Sequence, residues 1–379
     1  MKSVFITILL VVSLLINSLN CSFQVSIFNE LNKSKRGQNL IISPLSIFQI
    51  LSLTANGAKG ETQKEMLLAL QGADLDKLNY VNYEILEIIK KFKTVDIANA
   101  VMSRFTPLKE FTETAEKYCA PLEQLISVQQ VNNWCSEKTH GKITKILDEL
   151  DSTVQMILLN AICFKGEWSN QFDELSTNKK IFYNLGTEKK EVDTMNKLDH
   201  FSYYEDTKVQ AIQLPYTEDD MSALIILPRE NADINKYISS LNSNENSLSD
   251  LISRLKYSKV NLDLPKFKLE FSSSLKETLK DMGMTTAFSN DADLTGLREG
   301  RDLKIDDVLH KTFLKVNESG TEAAAVTAVV IEMTSAGPEE EEEKIYQMKF
   351  NRPFLFMLRS EKLPSDYNML FMSKIESIE

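Results

Sequence analysis

The sequence predicts a single large domain of mixed α and β structure, of the α+β class. Helical apolar spacing dominates the N-terminal part of the chain, and strand-like patterns dominate the rest. No linker rich in Gly, Ser or Pro and no internal repeat divides the 379 residues. Hydrophobic residues make up 43% of the chain and charged residues 26%, which suits a globular protein that buries its own core. These observations together favour one α+β domain.

The N-terminus has the pattern of a secretory signal. Lys2 precedes an apolar run from Val4 to Ile16, which is too short to span a membrane comfortably. Small and polar residues follow, so we expect cleavage between Asn17 and Ser22. The sequence therefore predicts a signal peptide over residues 1–21, a mature domain over 22–379 and a secreted protein. An uncleaved apolar helix is the alternative.

Helices are predicted first along the mature chain. Apolar spacing indicates a helix from Ser22 to Leu31, and Pro44 suits the first turn of a second helix that stops at Asn56–Gly57. Further helices are expected after Gly60 and over 80–93, and another over 129–150, beyond the strand VDIANAVMS.

Strands dominate the chain beyond residue 150. VQMILLNAICF is a long and mainly apolar segment, which predicts a strand buried on both faces. Alternating strands are expected over 176–230, a helix over 247–256, and a pair of strands around Pro265. SLKETLKDMGM predicts a helix ended by Gly283. LKIDDVLHKTFLKVNE and two C-terminal segments predict further strands.

Charge and cysteine content exclude several classes of protein. A net charge of −11 disfavours nucleic acid and anionic lipid as partners. The one basic cluster, Lys90, Lys91 and Lys93, is expected to be a solvated helix face, so a glycosaminoglycan partner is not expected. No segment beyond the N-terminus is apolar enough to span a membrane. The cysteines match no zinc spacing, and the three beyond the signal are expected to be buried thiols, although one disulfide stays open: Cys119, Cys135 and Cys163.

The sequence contains no recognisable catalytic motif. Its three histidines are scattered, and Cys135 and His140 are spaced to lie on different faces of a helix. His310 falls in an apolar segment, where a core imidazole satisfied by hydrogen bonds is expected. We therefore expect no enzyme, no metal and no cofactor.

Six motifs, in this order, give the chain its resemblance to a known family. They are NLIISPLSI with GAKGETQKEML, VNNWCSEKTHGKI, LLNAICFKGEWSNQFD, LPKFKLEFSSSLKETLKDMGMTTAFSNDADLTGL, NESGTEAAAVTA and FNRPFLFML. The chain resembles the serpin family over nearly its whole length. The resemblance implies three β-sheets, about nine helices and an exposed reactive loop over about 318–345. It also implies a monomer.

The resemblance assigns structural roles to five residues. Four match positions of a hydrogen-bonded group beneath the large sheet, which we call the polar cluster: Ser43, Ser46, Asn160 and His310. Trp168 matches the position beneath the point where the loop enters the sheet. Buried polar groups of this kind must be paired.

The reactive loop begins with the matched hinge residues Glu318, Gly320, Thr321, Glu322, Ala323, Ala324 and Ala325. In an inserted strand the inward positions would be Thr321, Ala323, Ala325 and Thr327, and all of them are small. The outward positions would be Glu322, Ala324, Val326 and Ala328. Within the loop no proline occurs before Pro338, so the loop can form a central strand. About 14 inserted residues, at about 1 kcal/mol for each hydrogen bond, would rival the stability of a whole protein.

Counting along the loop as in the family predicts the cut between Thr334 and Ser335, with Met333 as the alternative. Thr334 suits an elastase-like pocket, whereas Met333 suits elastase-like or chymotrypsin-like enzymes. Beyond the cut lies Glu339–Glu343, which we call the acid run. It is expected to be a solvated loop tip, with a protease exosite as the alternative.

The implied activity is suicide inhibition of a serine protease by insertion of the cleaved loop. Two alternatives stay open: a non-inhibitory carrier, chaperone or storage serpin, and a cross-class inhibitor of cysteine proteases. Sequons at Asn32, which we expect in an exposed loop, and at Asn317 predict a glycoprotein.

Overall fold

A computed structural model describes residues 22–230, 232–241, 247–321 and 343–379. Nine α-helices lie in these ranges. In chain order they are α1 Phe23–Ser34, α2 Pro44–Gly57, α3 Gly60–Ala69, α4 Leu75–Ile89, α5 Lys109–Lys117, α6 Val128–Lys138, α7 Ile234–Ser240, α8 Leu248–Ser253 and α9 Lys276–Asp281. Short 3-10 turns cover Glu174–Ser176, Thr286–Phe288 and Ser365–Tyr367.

The same ranges contain sixteen strands. They are β1 Leu40–Ile42, β2 Val95–Ser103, β3 Leu122–Gln124, β4 Met156–Phe164, β5 Gly166–Glu167, β6 Asn178–Asn184, β7 Glu188–Glu205, β8 Val209–Pro215, β9 Met221–Pro228, β10 Lys256–Pro265, β11 Phe267–Ser274, β12 Asp307–Asn317, β13 Gly320–Thr321, β14 Tyr346–Lys349, β15 Phe354–Ser360 and β16 Met369–Ile375.

Hydrogen bonding groups the described strands into two sheets. Sheet I has seven strands in the order β3-β2-β4-β12-β13-β5, with β11 paired to β12. Sheet II has nine strands in the order β1-β16-β15-β9-β8-β7-β10-β14, with β6 paired to β7. Three sheets were expected. The 18-residue strand β7 pairs with β6, β10 and β8 along different parts of its length, and so joins strands that would otherwise form two sheets.

Helix α2 forms the centre of the core. Ser43 caps its N-terminus, Pro44 occupies its first turn, and the helix ends at Gly57, as the sequence predicts. Every residue of α2 except Asn56 is buried. An apolar helix with no solvated face has to lie between other layers, and α2 packs against α1, β4 and β16.

Strand β4 is buried at all nine positions, which confirms the prediction of a strand covered on both faces. Its alternate residues belong to two different hydrophobic clusters. Leu158 and Ile162 pack in the main core, whereas Leu159 and Ala161 pack in a smaller cluster with Trp134 of α6. Sheet I is therefore covered by the main core on one face and by α6 on the other.

Several predicted boundaries differ from the structure. Helix α6 ends at Lys138 rather than continuing to 150, because His140 and Gly141 adopt positive φ angles of 52° and 76°. Helix α5 was not predicted, because its sequence KEFTETAEK buries only Phe111 and Ala115. The two strands around Pro265 exist, but β10 lies in sheet II and β11 in sheet I. No helix in the described ranges is long and apolar enough to cross a membrane.

Candidate functional site: the seam of sheet I

Strands β4 and β12 pair directly, and we call their junction the seam. The pairing is parallel and covers seven residue pairs, from Ile157 with Asp307 to Cys163 with Phe313. A further strand placed between them would have to separate these pairs. The chain returning from β12 runs antiparallel to it, so such a strand would have an antiparallel neighbour on each side.

The structure brings the four residues of the polar cluster together at the seam. Ser43 caps α2, and its Oγ accepts a hydrogen bond from the backbone N–H of Ser46 at 3.4 Å. Asn160 of β4 and His310 of β12 are opposite each other in the parallel pairing. All four residues have no exposed surface. The cluster therefore joins the central helix to both strands of the seam.

The hydrogen bonds of His310 assign its tautomer. Nε2 accepts from the backbone N–H of Ser43 at 3.1 Å, so the ring proton is on Nδ1. Nδ1 donates to Oδ1 of Asn160, which also accepts from Oγ of Ser46 at 2.9 Å. Burial lowers the pKa of His310 to about 3, so the imidazole is neutral at physiological pH. Both ring nitrogens are thus engaged, which gives His310 a structural role.

Asn99 extends the cluster, and we did not predict it. Nδ2 of Asn160 donates to Oδ1 of Asn99 at 2.6 Å, and the two residues are in register between β2 and β4. Asn99, Asn160 and His310 therefore form a row across three neighbouring strands. The signal was present in VDIANAVMS, because an Asn in a buried strand needs a partner.

Beyond Phe313 the seam is parted by the short strand β13. The chain reverses over residues 317–320, and β13 then pairs antiparallel with β12 on one side and with β5 on the other. The Thr321 side chain is fully buried, and its Oγ1 is 2.7 Å from the Oη atom of Tyr216. The chain thus enters sheet I at this end and is hydrogen-bonded within it.

Gly320 is required by the close approach of two backbones. A Cβ atom at this position would lie 2.2 Å from the carbonyl oxygen of Gly166 and 2.8 Å from Cα of Glu167. Its φ of +150° is also unfavourable for other residues. The oxygen Oδ1 of Asn317 accepts from the Gly320 N–H at 3.1 Å and closes the turn.

Trp168 lies beneath this turn. Its Nε1 donates to the carbonyl of Asn317 at 3.0 Å, and its backbone N–H donates to the carbonyl of Ser319 at 3.0 Å. The indole stacks on Tyr216, with ring centroids 4.3 Å apart and an angle of 22°. Tyr216 also packs edge-on against Phe164. No sequence motif indicated Tyr216, whose ring contacts Trp168 and Phe164 and whose hydroxyl contacts Thr321.

Glu318 is held inside the turn by two polar partners that we did not predict. Only 6% of its surface is exposed. Its carboxylate lies 2.9 Å from Nζ of Lys266 and accepts a hydrogen bond from Oγ1 of Thr177 at 2.7 Å. Burial raises the pKa of Glu318, but the bonds from Lys266 and Thr177 outweigh it, so the pKa lies below its usual value. The hinge is therefore fixed by charge as well as by backbone pairing.

Several expected site residues lie outside the described ranges. They are the hinge residues Glu322, Ala323, Ala324 and Ala325, the later inward and outward positions of the loop, and the cut-site residues Met333, Thr334 and Ser335. The predicted signal peptide over 1–21 also lies outside them.

The two sequons have different surroundings. Asn32 was expected in an exposed loop, and that prediction is wrong, because it lies within α1 and is 2% exposed. The folded chain leaves no room for a sugar there. Asn317 is partly exposed, so glycosylation at this position stays a prediction.

The described cysteines are free thiols. Cys135 and Cys163 are buried as expected, whereas Cys119 is exposed, so the expectation of a buried thiol is wrong there. Cys119 follows the end of α5 with a φ of 54°, which points its side chain out of the helix path.

Sheet I, with a seam that is paired along most of its length and parted by β13 at one end, and the nine-stranded sheet II define a class of mixed α and β proteins with large sheets. The comparisons with known proteins agree with this class. The family model "Serpin (serine protease inhibitor)" matches residues 18–378. The chain belongs to the serpin family.

Individual relatives support the assignment. The chain is 35% identical over 361 residues to Iripin-5 of Ixodes ricinus, with 90% of each protein covered. It is 33% identical to Serpin B8 of Homo sapiens, with 90% of this chain and 95% of that protein covered. The crystal structure of Tengpin, a thermophilic serpin in the native state, superposes with a TM-score of 0.84 at 33% identity, covering 94% of this chain and 92% of Tengpin. Serpins are not enzymes, and many of the relatives inhibit proteases.

Proposed function

We propose that this protein is a suicide-substrate inhibitor of serine proteases. The observation that carries the proposal is the state of the seam. Strands β4 and β12 are paired directly over seven residue pairs, and β13 lies between β12 and β5 beyond the end of that pairing. A further strand would have to open this pairing, and the residues that would supply the strand follow Thr321 in the chain.

Energetics favour insertion once the loop is free to move. An inserted strand replaces one row of hydrogen bonds at the seam by two rows, one on each side. Each additional bond contributes about 1 kcal/mol, so a strand of about 14 residues gains on the order of 10 kcal/mol. This gain matches the stability of an ordinary domain, about 5–15 kcal/mol, and is large enough to deform an enzyme held covalently on the loop.

The composition of the loop supports the same mechanism. The inward positions after Thr321 are Ala323, Ala325 and Thr327, and all three side chains are small and uncharged. A non-inhibitory carrier is the alternative. Thyroxine-binding globulin, solved in complex with thyroxine, has the same fold with a TM-score of 0.82 at 24% identity.

We further propose that the protein is secreted, on the pattern of Lys2 and the apolar run that follows. The expected cut at Thr334–Ser335 favours an elastase-like target, and a cut after Met333 would allow a chymotrypsin-like one. The basic cluster does not favour a glycosaminoglycan partner, because Lys90 pairs with Glu87 and Lys93 with Glu218. N-terminal sequencing of the exported protein would test the cleavage site.

The deciding experiment incubates the protein with elastase-, chymotrypsin-, trypsin- and cathepsin-type proteases. We expect an SDS-stable complex with a serine protease, and mass spectrometry should place the new end at Thr334 or Met333. Loop cleavage should also raise the melting temperature sharply. A protein that is cleaved without complex formation and without a change in melting temperature would be a carrier or storage serpin. A stable complex with the cathepsin alone would instead identify a cross-class inhibitor.

A further inference from the structure

The acid run re-enters the described structure at Glu343, which is bound by two basic side chains. Its Oε1 and Oε2 lie 2.9 and 3.1 Å from Nε2 of His200, and Oε2 lies 3.6 Å from Nζ of Lys259. The hydrogen bond from His200, followed by the charges of His200 and Lys259, lowers the pKa of Glu343. The contact is made between side chains about half exposed or less, at 34% for His200 and 50% for Glu343.

The two basic residues lie on rigid backbone. His200 of β7 and Lys259 of β10 are directly opposite in an antiparallel pairing of ten residue pairs. Tyr257, two residues before Lys259, stacks on the His200 ring at 5.2 Å with an angle of 18°. Asp199, which precedes His200, is engaged with Lys197 and Asn170. The binding surface is therefore held by the sheet and by an aromatic neighbour.

A second group of cations lies at the start of β10, where Lys256 is on the face opposite to Lys259. Arg254 and Lys256 line a cavity of about 610 Å³ together with tyrosines that include Tyr346. Two acids also face this region, but Asp250 is paired with Arg254 at 2.8 Å and Glu205 with Arg229 at 3.0 Å. Within the described ranges no ion pair involves Lys256.

The pairing of β14 with β10 shows how the acid run can meet both groups. Gln347 contacts Asn261 at 3.1 Å on the face of Lys259, and Tyr346 lines the cavity on the face of Lys256. Side chains alternate between faces along an extended segment. Glu343 is therefore on the side of the first group, and the chain that precedes it leaves β14 at the edge of β10 where both groups lie.

We propose that His200, Lys259 and Lys256 form a cation seat that receives the acid run Glu339–Glu343 of this same chain. Charge complementarity, the position at which the run ends and the seated carboxylate of Glu343 carry the proposal. The seat fixes the C-terminal arm of the reactive loop on sheet II, while the buried Thr321 fixes the N-terminal arm on sheet I. The cation seat gives the acid run a role within the free protein, so the proposal does not depend on the proposed inhibition.

Hydrogen exchange of the intact, uncleaved chain tests the seat without any protease. The probe is the set of backbone amides from 339 to 349, compared between the wild type and the double variant Lys256→Gln with Lys259→Gln. Two ion pairs of this exposure should change the local opening equilibrium by about threefold, so we expect exchange to be about threefold faster in the variant. The wild type should approach the variant rate at about 1 M NaCl, where screening acts over about 3 Å.

A matched control changes the two exposed lysines at the other end of β7, Lys189→Gln with Lys190→Gln. This pair removes the same charge and should leave exchange of the segment unchanged. Equal effects of the two double variants would overturn the proposal, because a change in net charge would then explain both. Unchanged exchange in Lys256→Gln alone would also overturn it, because the run would not be held on the second face.

A charge reversal gives a positive test. Lys259→Glu should speed exchange more than Lys259→Gln, and adding Glu343→Lys should restore it toward the wild-type rate. Protection of the acid run that appears only after a protease binds would instead show that the surface serves the partner, and the proposal would fail. Loss of inhibition with normal exchange would count against the proposed function and leave the seat intact.

Discussion

The two ends of the seam are built from different chemistry. Where β4 and β12 touch, seven backbone pairs are reinforced by a row of buried polar side chains centred on Asn160 and His310. Where β13 parts them, the contacts are a glycine pressed against a backbone and a threonine bonded to a buried tyrosine. Under the proposed mechanism, the residues that hold the sheet closed are therefore different from those at which the loop would enter it. Each can be changed without the other.

The largest expected effect comes from placing a charge at the entry point. Thr321→Arg would have to bury an unpaired guanidinium, which costs about 3–5 kcal/mol. We expect the yield of SDS-stable complex with the target protease to fall by at least about 100-fold, since about 1.4 kcal/mol corresponds to a factor of ten. The variant should be cleaved as a substrate instead. Thr321→Ser keeps the hydroxyl and the small volume and should inhibit normally. Wild-type inhibition by Thr321→Arg would show that insertion does not begin at this residue.

Acid should weaken the closed end of the seam through His310. Its pKa is about 3 in the folded chain against 6.5 in the unfolded chain, so only the unfolded state binds the proton between these values. The contribution of His310 to the free energy of unfolding should therefore be fully present above pH 6.5. Below pH 6.5 the free energy of unfolding should fall by about 1.4 kcal/mol for each pH unit.

The matched comparison is His310→Gln, because the glutamine side chain does not bind a proton in this pH range. The variant should be less stable at pH 7, and the difference from wild type should shrink by about 3 kcal/mol between pH 7 and pH 4.5 in denaturant titrations. His140→Gln, at an exposed histidine bonded to Asp96, should follow the wild type. A constant difference between wild type and His310→Gln would mean that His310 is not held neutral.

A smaller effect is expected at the parted end from Lys266→Met. Glu318 would keep its bond from Thr177 but lose a charged hydrogen bond, which is worth about 2 kcal/mol. The pKa of Glu318 is lowered in the folded state, so this contribution is present above the ordinary pKa of 4.5 and is lost as the pH falls below it. Denaturation midpoints of wild type and variant should converge in acid. The exposed Lys315→Met serves as control, and a gap that persists in acid would rule out the carboxylate as the cause.

The smallest effect should follow from Tyr216→Phe. The stack with Trp168 remains, and only the bond to Thr321 is lost, which costs about 1 kcal/mol. Exchange of the amides of Gly320 and Thr321 should become about fivefold faster, as that energy implies. Tyr203→Phe removes the bond from Gln210 in sheet II and should leave these two amides unchanged. Equal exchange in all three proteins would show that the tyrosine hydroxyl does not hold the hinge.

Periodicity predicted the elements that a single segment determines. Helix α2 and strand β4 are mainly apolar and are bounded by clear signals, so their existence and burial follow from local sequence. Helix α5 has few apolar residues, and the early end of α6 depends on backbone angles at His140 and Gly141. Such boundaries depend on single residues rather than on a repeating pattern.

The candidate site depended on tertiary pairing. Asn160 and His310 are 150 residues apart, and no local pattern states that β4 and β12 are neighbours. The family resemblance supplied that pairing, whereas Asn99 and Tyr216 were missed because they lie on other elements that touch it. Lys266 and Thr177 were missed for the same reason. A buried carboxylate requires hydrogen-bond partners, but the local sequence does not identify which residues supply them.

The position of β13 has a consequence for folding kinetics. Its hairpin with β12 closes over the four residues from Asn317 to Gly320, whereas the seam joins segments about 150 residues apart. Local pairings form in microseconds, and pairings between distant segments form far more slowly. Growth of the local hairpin would fill the place that β4 takes beside β12. The newly made chain therefore has to complete the slow pairing of β4 with β12 before the local hairpin grows into the place of β4.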